Sequence, residues 1–142
     1  MREIFFDTWA WIALANKKDE HHREAVKFFK EILLAKGRAV TTDYVLAETF
    51  SALRKMAPME AGIHFGRMLL ENMKSGRFRL EFIDEMRFVK TWELHEKFKD
   101  KPQISFFDLS SIAVMEELGL KEIFTGDRDF ERVGLGFTLW PQ

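Results

Sequence analysis

Asp7, Glu48, Asp108 and Asp127, with Asp129 two residues further on, are the side chains whose types and placing could do chemistry. Asp7 closes the wholly apolar run Ile4-Phe5-Phe6, and Asp127 follows Ile123-Phe124-Thr125 after a single glycine, so both read as strand-end acids. Asp108 stands three positions after Ser105, a good N-cap residue, and belongs in the first turn of a helix. Glu48 falls early in another helix, on the flank of its apolar face. A helix packed on a parallel sheet runs antiparallel to the strands, so helix N-termini and strand C-termini share one edge. Carboxylates gathered there repel one another and acquire raised pKa values unless a cation compensates. The chain has no cysteine; His21 and His22 read as surface residues at a helix start, and His64 and His95 stand alone. An all-oxygen donor set favours Mg²⁺ or Mn²⁺ over Zn²⁺. Such an ion polarises a phosphoryl oxygen and lowers the pKa of a bound water, which is the chemistry of phosphodiester hydrolysis.

Each acid also has a plainer reading. Asp108 completes a capping box with Ser105, Asp127 and Asp129 serve the turn ahead of Phe130, and Glu48 is a solvated helix residue. Asp7 is hardest to dismiss, because an acid closing so apolar a run needs a partner or a solvated crevice. Convergence of the four on one edge is what favours a site.

What must position them is an alternation of strands and helices. After the first strand come a short helix over residues 8–15 and an amphipathic helix over 20–36, closed by Gly37. Residues 38–41 form a second strand, and Thr42 or Asp43 caps a helix carrying Val45, Leu46, Phe50, Leu53 and Met56 on one face. Pro58 ends that helix and opens another that runs to Gly76, making a helical hairpin. Residues 77–83 alternate apolar and charged, the pattern of a half-exposed edge strand. Asp84 caps a helix through about Phe98, and Asp100-Lys101-Pro102 breaks it before Ser105; residues 136–140 give a last strand. The result is one α/β domain over residues 1–142.

Composition narrows the function classes. A formal net charge of −1 gives no general affinity for nucleic acid, so any such contact needs a local basic patch. Absence of cysteine removes disulfides, thiolate catalysis and thiolate metal sites. The longest apolar run, residues 9–15, is too short to span a bilayer and no secretory segment opens the chain, so a cytoplasmic protein without a membrane partner is expected. Aromatic residues make up 14% of the chain, more than a small interior absorbs. Some of Trp9, Trp11, Phe28 and Phe65 are therefore expected at surfaces serving a homodimer and a partner peptide.

The segments Phe5-Phe6-Asp7-Thr8, Val45-Leu46-Ala47-Glu48, Ser105-Phe106-Phe107-Asp108 and Phe124-Thr125-Gly126-Asp127-Arg128-Asp129-Phe130, in that order, resemble the PIN-domain family, most closely the VapC-like toxins of toxin–antitoxin pairs. The resemblance covers essentially the whole chain. It implies a three-layer α/β/α sandwich with a central parallel sheet, metal-dependent endoribonuclease activity, homodimers, and inhibition by a small antitoxin protein. Carried over residue by residue, it makes Asp7, Asp108 and Asp127 ligands of Mg²⁺ or Mn²⁺, Glu48 a further ligand or the group that orients the attacking water, and Asp129 a fifth member. Contacts to an RNA substrate are then expected from Thr8, Ser105 and Thr125, and to its phosphates from Arg54, Lys55 and Arg128. The chain departs from the family's usual pattern at Trp9, where a small polar residue is common, and at Leu109, which replaces a small residue. Trp9 also excludes the haloacid-dehalogenase-type phosphatases, which need an acid at that place, and receiver domains need paired early acids and a late lysine that have no counterpart here. The remaining rivals are a catalytically inactive PIN-like RNA- or protein-binding module and a solitary RNA-processing nuclease.

Overall fold

The structure is a computed structural model that describes residues 1–56 and 58–142. Five strands, β1 (Glu3–Phe6), β2 (Arg38–Thr42), β3 (Arg79–Glu81), β4 (Glu122–Phe124) and β5 (Thr138–Trp140), form one sheet in the order β3-β2-β1-β4-β5. Every pairing is parallel; Phe5 stands between Val40 and Ile123, and Phe6 pairs with Phe124. Central strands of such a sheet are covered on both faces, which explains why Ile4, Phe5 and Phe6 are all apolar and all wholly buried.

The helices are α1 (Thr8–Ala15), α2 (His22–Leu34), α3 (Asp43–Met56), α4 (Met59–Lys74), α5 (Glu85–Lys97), α6 (Phe106–Leu118) and the four-residue α7 (Asp129–Arg132). Two successive right-handed crossovers, β1 to β2 and β2 to β3, place α1, α2, α3 and α4 on one face; the return from β3 to β4 runs the other way and places α5 and α6 on the opposite face. Helix packing follows this division, with α1 against α2, α3 and α4, and α5 against α6, except that α3 and α6 meet across it near their N-termini, where the Tyr44 and Phe107 rings lie 5.9 Å apart. The expected three-layer sandwich is therefore present. Among the described residues no helix is long and apolar enough to cross a membrane.

One face of the core is aromatic. Phe6 packs against Trp11 at 4.7 Å and Phe124 at 4.9 Å between ring centroids, and Phe28 meets Phe124 edge-on at 4.9 Å. Trp11 is wholly buried, so its indole N–H needs an acceptor. It donates to Thr41 Oγ1 at 3.2 Å, and that hydroxyl donates to the Phe6 carbonyl at 3.0 Å, tying α1 to β2 and β1 just below Asp7.

Local chemistry sets the element ends and decides between the alternatives that the sequence left open. Thr42, not Asp43, caps α3: its Oγ1 accepts from Val45 N at 3.1 Å, while Asp43 Oδ1 accepts from Ile83 N at 2.8 Å and holds the segment after β3. The helix expected over residues 20–36 is shorter, and the left-handed residue beyond it is Lys36, at φ 58°, with Gly37 serving a different purpose. A Cβ at Gly37 would lie 2.8 Å from Ile32 Cγ2, so glycine there permits close passage of the chain over α2. Of the four aromatics of which some are expected to be accessible, Trp9 and Phe65 are half-buried, whereas Trp11 and Phe28 are core residues that fill the space over β1 and β4.

Candidate functional site

In this strand order the direction of winding reverses between β1 and β4, and a crevice opens at the carboxyl ends of strands that flank such a point. Asp7 stands immediately beyond β1 and Thr125 immediately beyond β4. Asp7 is the N-cap of α1 and only 5% exposed. Its Oδ1 accepts from Thr8 N at 2.6 Å and its Oδ2 accepts from Thr125 Oγ1 at 2.7 Å. Thr125 Oγ1 accepts in turn from Asp127 N at 3.0 Å, and Asp127 Oδ1 accepts from Asp129 N at 2.9 Å. A continuous relay thus fixes the 125–129 turn to the end of β1.

Two helix N-termini complete the edge. Thr8 Oγ1 donates to Glu48 Oε1 at 2.6 Å, so Glu48 is half-buried and anchored to α1 instead of being solvated. Ser105 Oγ accepts from Asp108 N at 3.1 Å, the capping bond expected for α6, and Asp108 is half-buried behind it. Asp129 differs from the other acids. Its Oδ1 accepts from Arg132 Nη1 at 2.9 Å, so its charge is already met within α7.

Burial pushes the Asp7 carboxyl up to about 7; the Thr125 hydroxyl and Thr8 amide offset part of this, while the charges of Asp108 and Asp127 add to it. Burial likewise pushes Asp108 up to about 6, with further rises from Asp127 and Glu48 and an opposing contribution from Ser105. Among the described residues no basic side chain pairs with Asp7, Glu48, Asp108 or Asp127. No three acid or histidine side chains among them are disposed to hold one ion. The acids are close enough to raise Asp7 and Asp108 yet do not converge, which is how like charges arrange themselves. The donor set fits a hard dication, since every donor is a carboxylate or hydroxyl oxygen and the uncompensated charge is negative.

The phosphate-contact candidates divide. Arg128 is exposed beside Asp127, with its Nε 3.5 Å from Glu131 Oε2, and it borders a small cleft of about 210 Å³ with Trp9, His21 and Thr125. Arg54 and Lys55 are not brought to the acids. Because α3 starts at the acidic edge, its last turn lies away from it, and Lys55 is ~10 Å along the helix axis from Glu48. Arg54 instead borders an apolar groove of about 300 Å³ between α3 and α4, lined by Phe50, Leu53, Met59, Ile63 and Leu70, which contains none of the acids.

Sequence reading missed one contact. A Cβ built on Gly126 would lie 2.3 Å from Trp9 Cε2, so the indole occupies the space beside the 125–127 turn that any side chain at 126 would need. The departure at Trp9 and the glycine before Asp127 are two halves of one fit. Only the pairing of a large residue early with a glycine late could have signalled it.

The PIN domain family model matches residues 4–135. The chain is similar in structure to VapC20 of Mycobacterium tuberculosis, a sarcin–ricin loop cleaving toxin, at 29% identity and a TM-score of 0.77, covering 92% of this chain and 95% of that one. It shares its fold with VapBC2 of Rickettsia felis bound to a promoter DNA fragment, at 17% identity and a TM-score of 0.71 over 98% of this chain and 99% of the other. The same holds for DNA-bound VapBC of Salmonella typhimurium, at 21% identity and a TM-score of 0.68 over 98% and 97%. Comparison with curated protein sequences gives no match. With a family match running through Asp7, Glu48, Asp108 and Asp127, and a five-stranded parallel sheet in the VapC arrangement, the chain belongs to the PIN-domain family.

Proposed function

We propose that the protein is a divalent-metal-dependent endoribonuclease of the VapC toxin type, acting on RNA and restrained by a small antitoxin. The observation that carries this reading is Asp7, buried at the β1/β4 crevice with both carboxylate oxygens oriented by Thr8 and Thr125 and no cation partner among the described residues. Asp7, Asp108 and Asp127 would hold Mg²⁺ or Mn²⁺, which when bound supplies charge for the phosphoryl oxygen and a more acidic water. Thr125 fixes Asp7 and the Asp127 turn together, so two ligands move as one. Thr8 holds Glu48 by one oxygen, leaving the other to accept a proton from water or to reach the ion. Asp129, engaged by Arg132, shapes the turn and is at most an outer member of the site.

The test is RNA cleavage in Mg²⁺, Mn²⁺ and chelator by the wild-type chain and by Asp7→Asn and Asp108→Asn, each checked for native circular dichroism. Metal-dependent cleavage by wild type alone is expected. Cleavage in chelator, or by both variants, would overturn the site; metal-independent RNA binding without cleavage would favour the inactive-module reading.

A further inference from the structure

An RNA strand approaching four uncompensated carboxylates needs cations beside them, and most arginines of this chain are already engaged. Arg2 pairs with Glu122, Arg38 and Arg79 with Glu3, Arg87 with Glu81 and Glu117, Arg128 with Glu131 and Arg132 with Asp129. The stretch from the last turn of α5 to the cap of α6 is different. His95, Lys97, Lys99 and Lys101 bring four basic side chains within seven residues, and among the described residues only Lys101 meets a carboxylate, the adjacent and exposed Asp100 at 3.1 Å.

Three of these groups, His95, Lys99 and Lys101, border a cleft of about 400 Å³ whose wall also includes Ser105 and Phe106. Ser105 is shared with the acidic site, because the same residue caps α6 and accepts from Asp108 N. The cleft therefore reaches the N-terminus of α6, whose first turn carries Asp108. Its aromatic content is also ordered: the Phe106 ring lies 5.8 Å from His95 and 5.5 Å from Phe88. Cations that track a backbone, interleaved with rings that accept bases, are the features that bind single-stranded nucleic acid without sequence preference.

We infer that this cleft is the channel for single-stranded RNA on one side of the scissile phosphate, with Lys99 and Lys101 contacting backbone phosphates and Phe106 with His95 receiving a base. The inference rests on the ribonuclease reading and names cations that replace Arg54 and Lys55 in the phosphate role. Arg54 borders the groove between α3 and α4 and Lys55 lies in the last turn of α3, whereas Lys99 and Lys101 line the same cleft as the residue that caps α6.

The experiment measures binding of a mixed-sequence single-stranded RNA oligonucleotide by fluorescence anisotropy over a series of salt concentrations, in an Asp7→Asn background that keeps the RNA intact. Lys99→Gln with Lys101→Gln should weaken binding by ~10-fold at low salt and reduce the slope of log affinity against log salt by about 1.4, the value for two phosphate contacts on a single strand. Lys30→Gln with Lys74→Gln, exposed lysines on α2 and α4, should leave both quantities unchanged. With Asp7 restored, the Lys99 and Lys101 variant should lose cleavage through a higher KM. An unaltered salt slope in that variant, or an equal loss in the Lys30 and Lys74 control, overturns the channel. Failure of the ribonuclease reading shows differently: the restored protein binds RNA with the expected lysine dependence yet does not cleave it in either metal. Absence of RNA binding in the Asp7→Asn background overturns both.

Discussion

The buried Asp7 carboxyl carries a titration that stability measurements can read. Its value rises from 3.8 in the ordinary state to about 7 in the fold, so the native protein binds that proton more readily than the unfolded chain. Stability conferred by the protonated form is therefore lost as pH climbs from about 4 to about 7, and then levels off. In chelator, the wild-type melting temperature should fall between pH 5 and pH 8 and that of Asp7→Asn should fall less; parallel pH profiles would show that Asp7 is not the group responsible. Gly126 gives a second residue-scale prediction. Alanine there places a Cβ 2.3 Å from Trp9 Cε2, so either the indole or the turn bearing Asp127 must shift. Overpacking of this kind costs about 1–3 kcal/mol, and removing the obstruction should relieve it. Denaturant melts of Gly126→Ala, Trp9→Ala and the double variant should show strong non-additivity, the double being less destabilised than the sum; simple additivity would mean the two residues do not compete for space. The acids themselves were legible in the sequence because capping and strand-end positions are local signals. The Trp9 and Gly126 fit was not, since it joins residues 117 positions apart through tertiary packing.

At the scale of elements, the alternation of strands and helices was readable because apolar periodicity changes at each boundary, while the boundaries themselves moved by a few residues. Residues 77–83 alternate as an edge strand should, yet only Arg79–Glu81 pair with β2. The chain leaves the sheet once Asp43 captures Ile83 N, a competing bond that periodicity does not contain. Arg54 and Lys55 show the same limit of local pattern: both follow Glu48 closely in sequence, but a helix that begins at the acidic edge carries later residues away from it. The link that holds α1 in place is also invisible to pattern. Trp11 Nε1, Thr41 Oγ1 and the Phe6 carbonyl form a buried relay from helix to two strands. Thr41→Val should leave the indole N–H and the carbonyl without partners at a cost of about 1–3 kcal/mol, whereas Thr41→Ser should retain most of the stability. Urea melts of the two variants would decide between a relay and mere packing, since a packing role predicts that valine is the better tolerated.

At the scale of the molecule, two of the apolar surfaces among the described residues differ in shape, and shape suggests a different occupant for each. Between α3 and α4 the surface is a groove floored by Phe50 and Leu53 and edged by Arg54 and Arg67, suited to a narrow apolar segment with acidic flanks, such as a stretch of an antitoxin. On α5 the apolar surface is the outward side of a helix, with Phe88, Val89 and Trp92 each about half exposed and Met86 more so, and Phe82 is exposed just ahead of it. A convex stripe of this kind is poorly suited to enclosing a peptide and well suited to packing against its own copy about a two-fold axis, where one patch meets itself. The homodimer expected from aromatic content would therefore form through α5 and not through Trp11 or Phe28, which lie in the core. Met86→Glu with Trp92→Glu should separate the copies without harming the fold, because both side chains already face solvent and the charges would be brought together across the axis. Sedimentation velocity over a wide concentration range should give a dimer for wild type and a monomer for the double variant, with unchanged circular dichroism. The groove supplies the control: Ile63→Glu with Leu70→Glu should leave the dimer intact and abolish binding of the antitoxin. A wild-type chain that stays monomeric at every concentration, or a dimer lost through the groove variant and kept in the α5 variant, would reverse the assignment of the two surfaces or remove the dimer altogether.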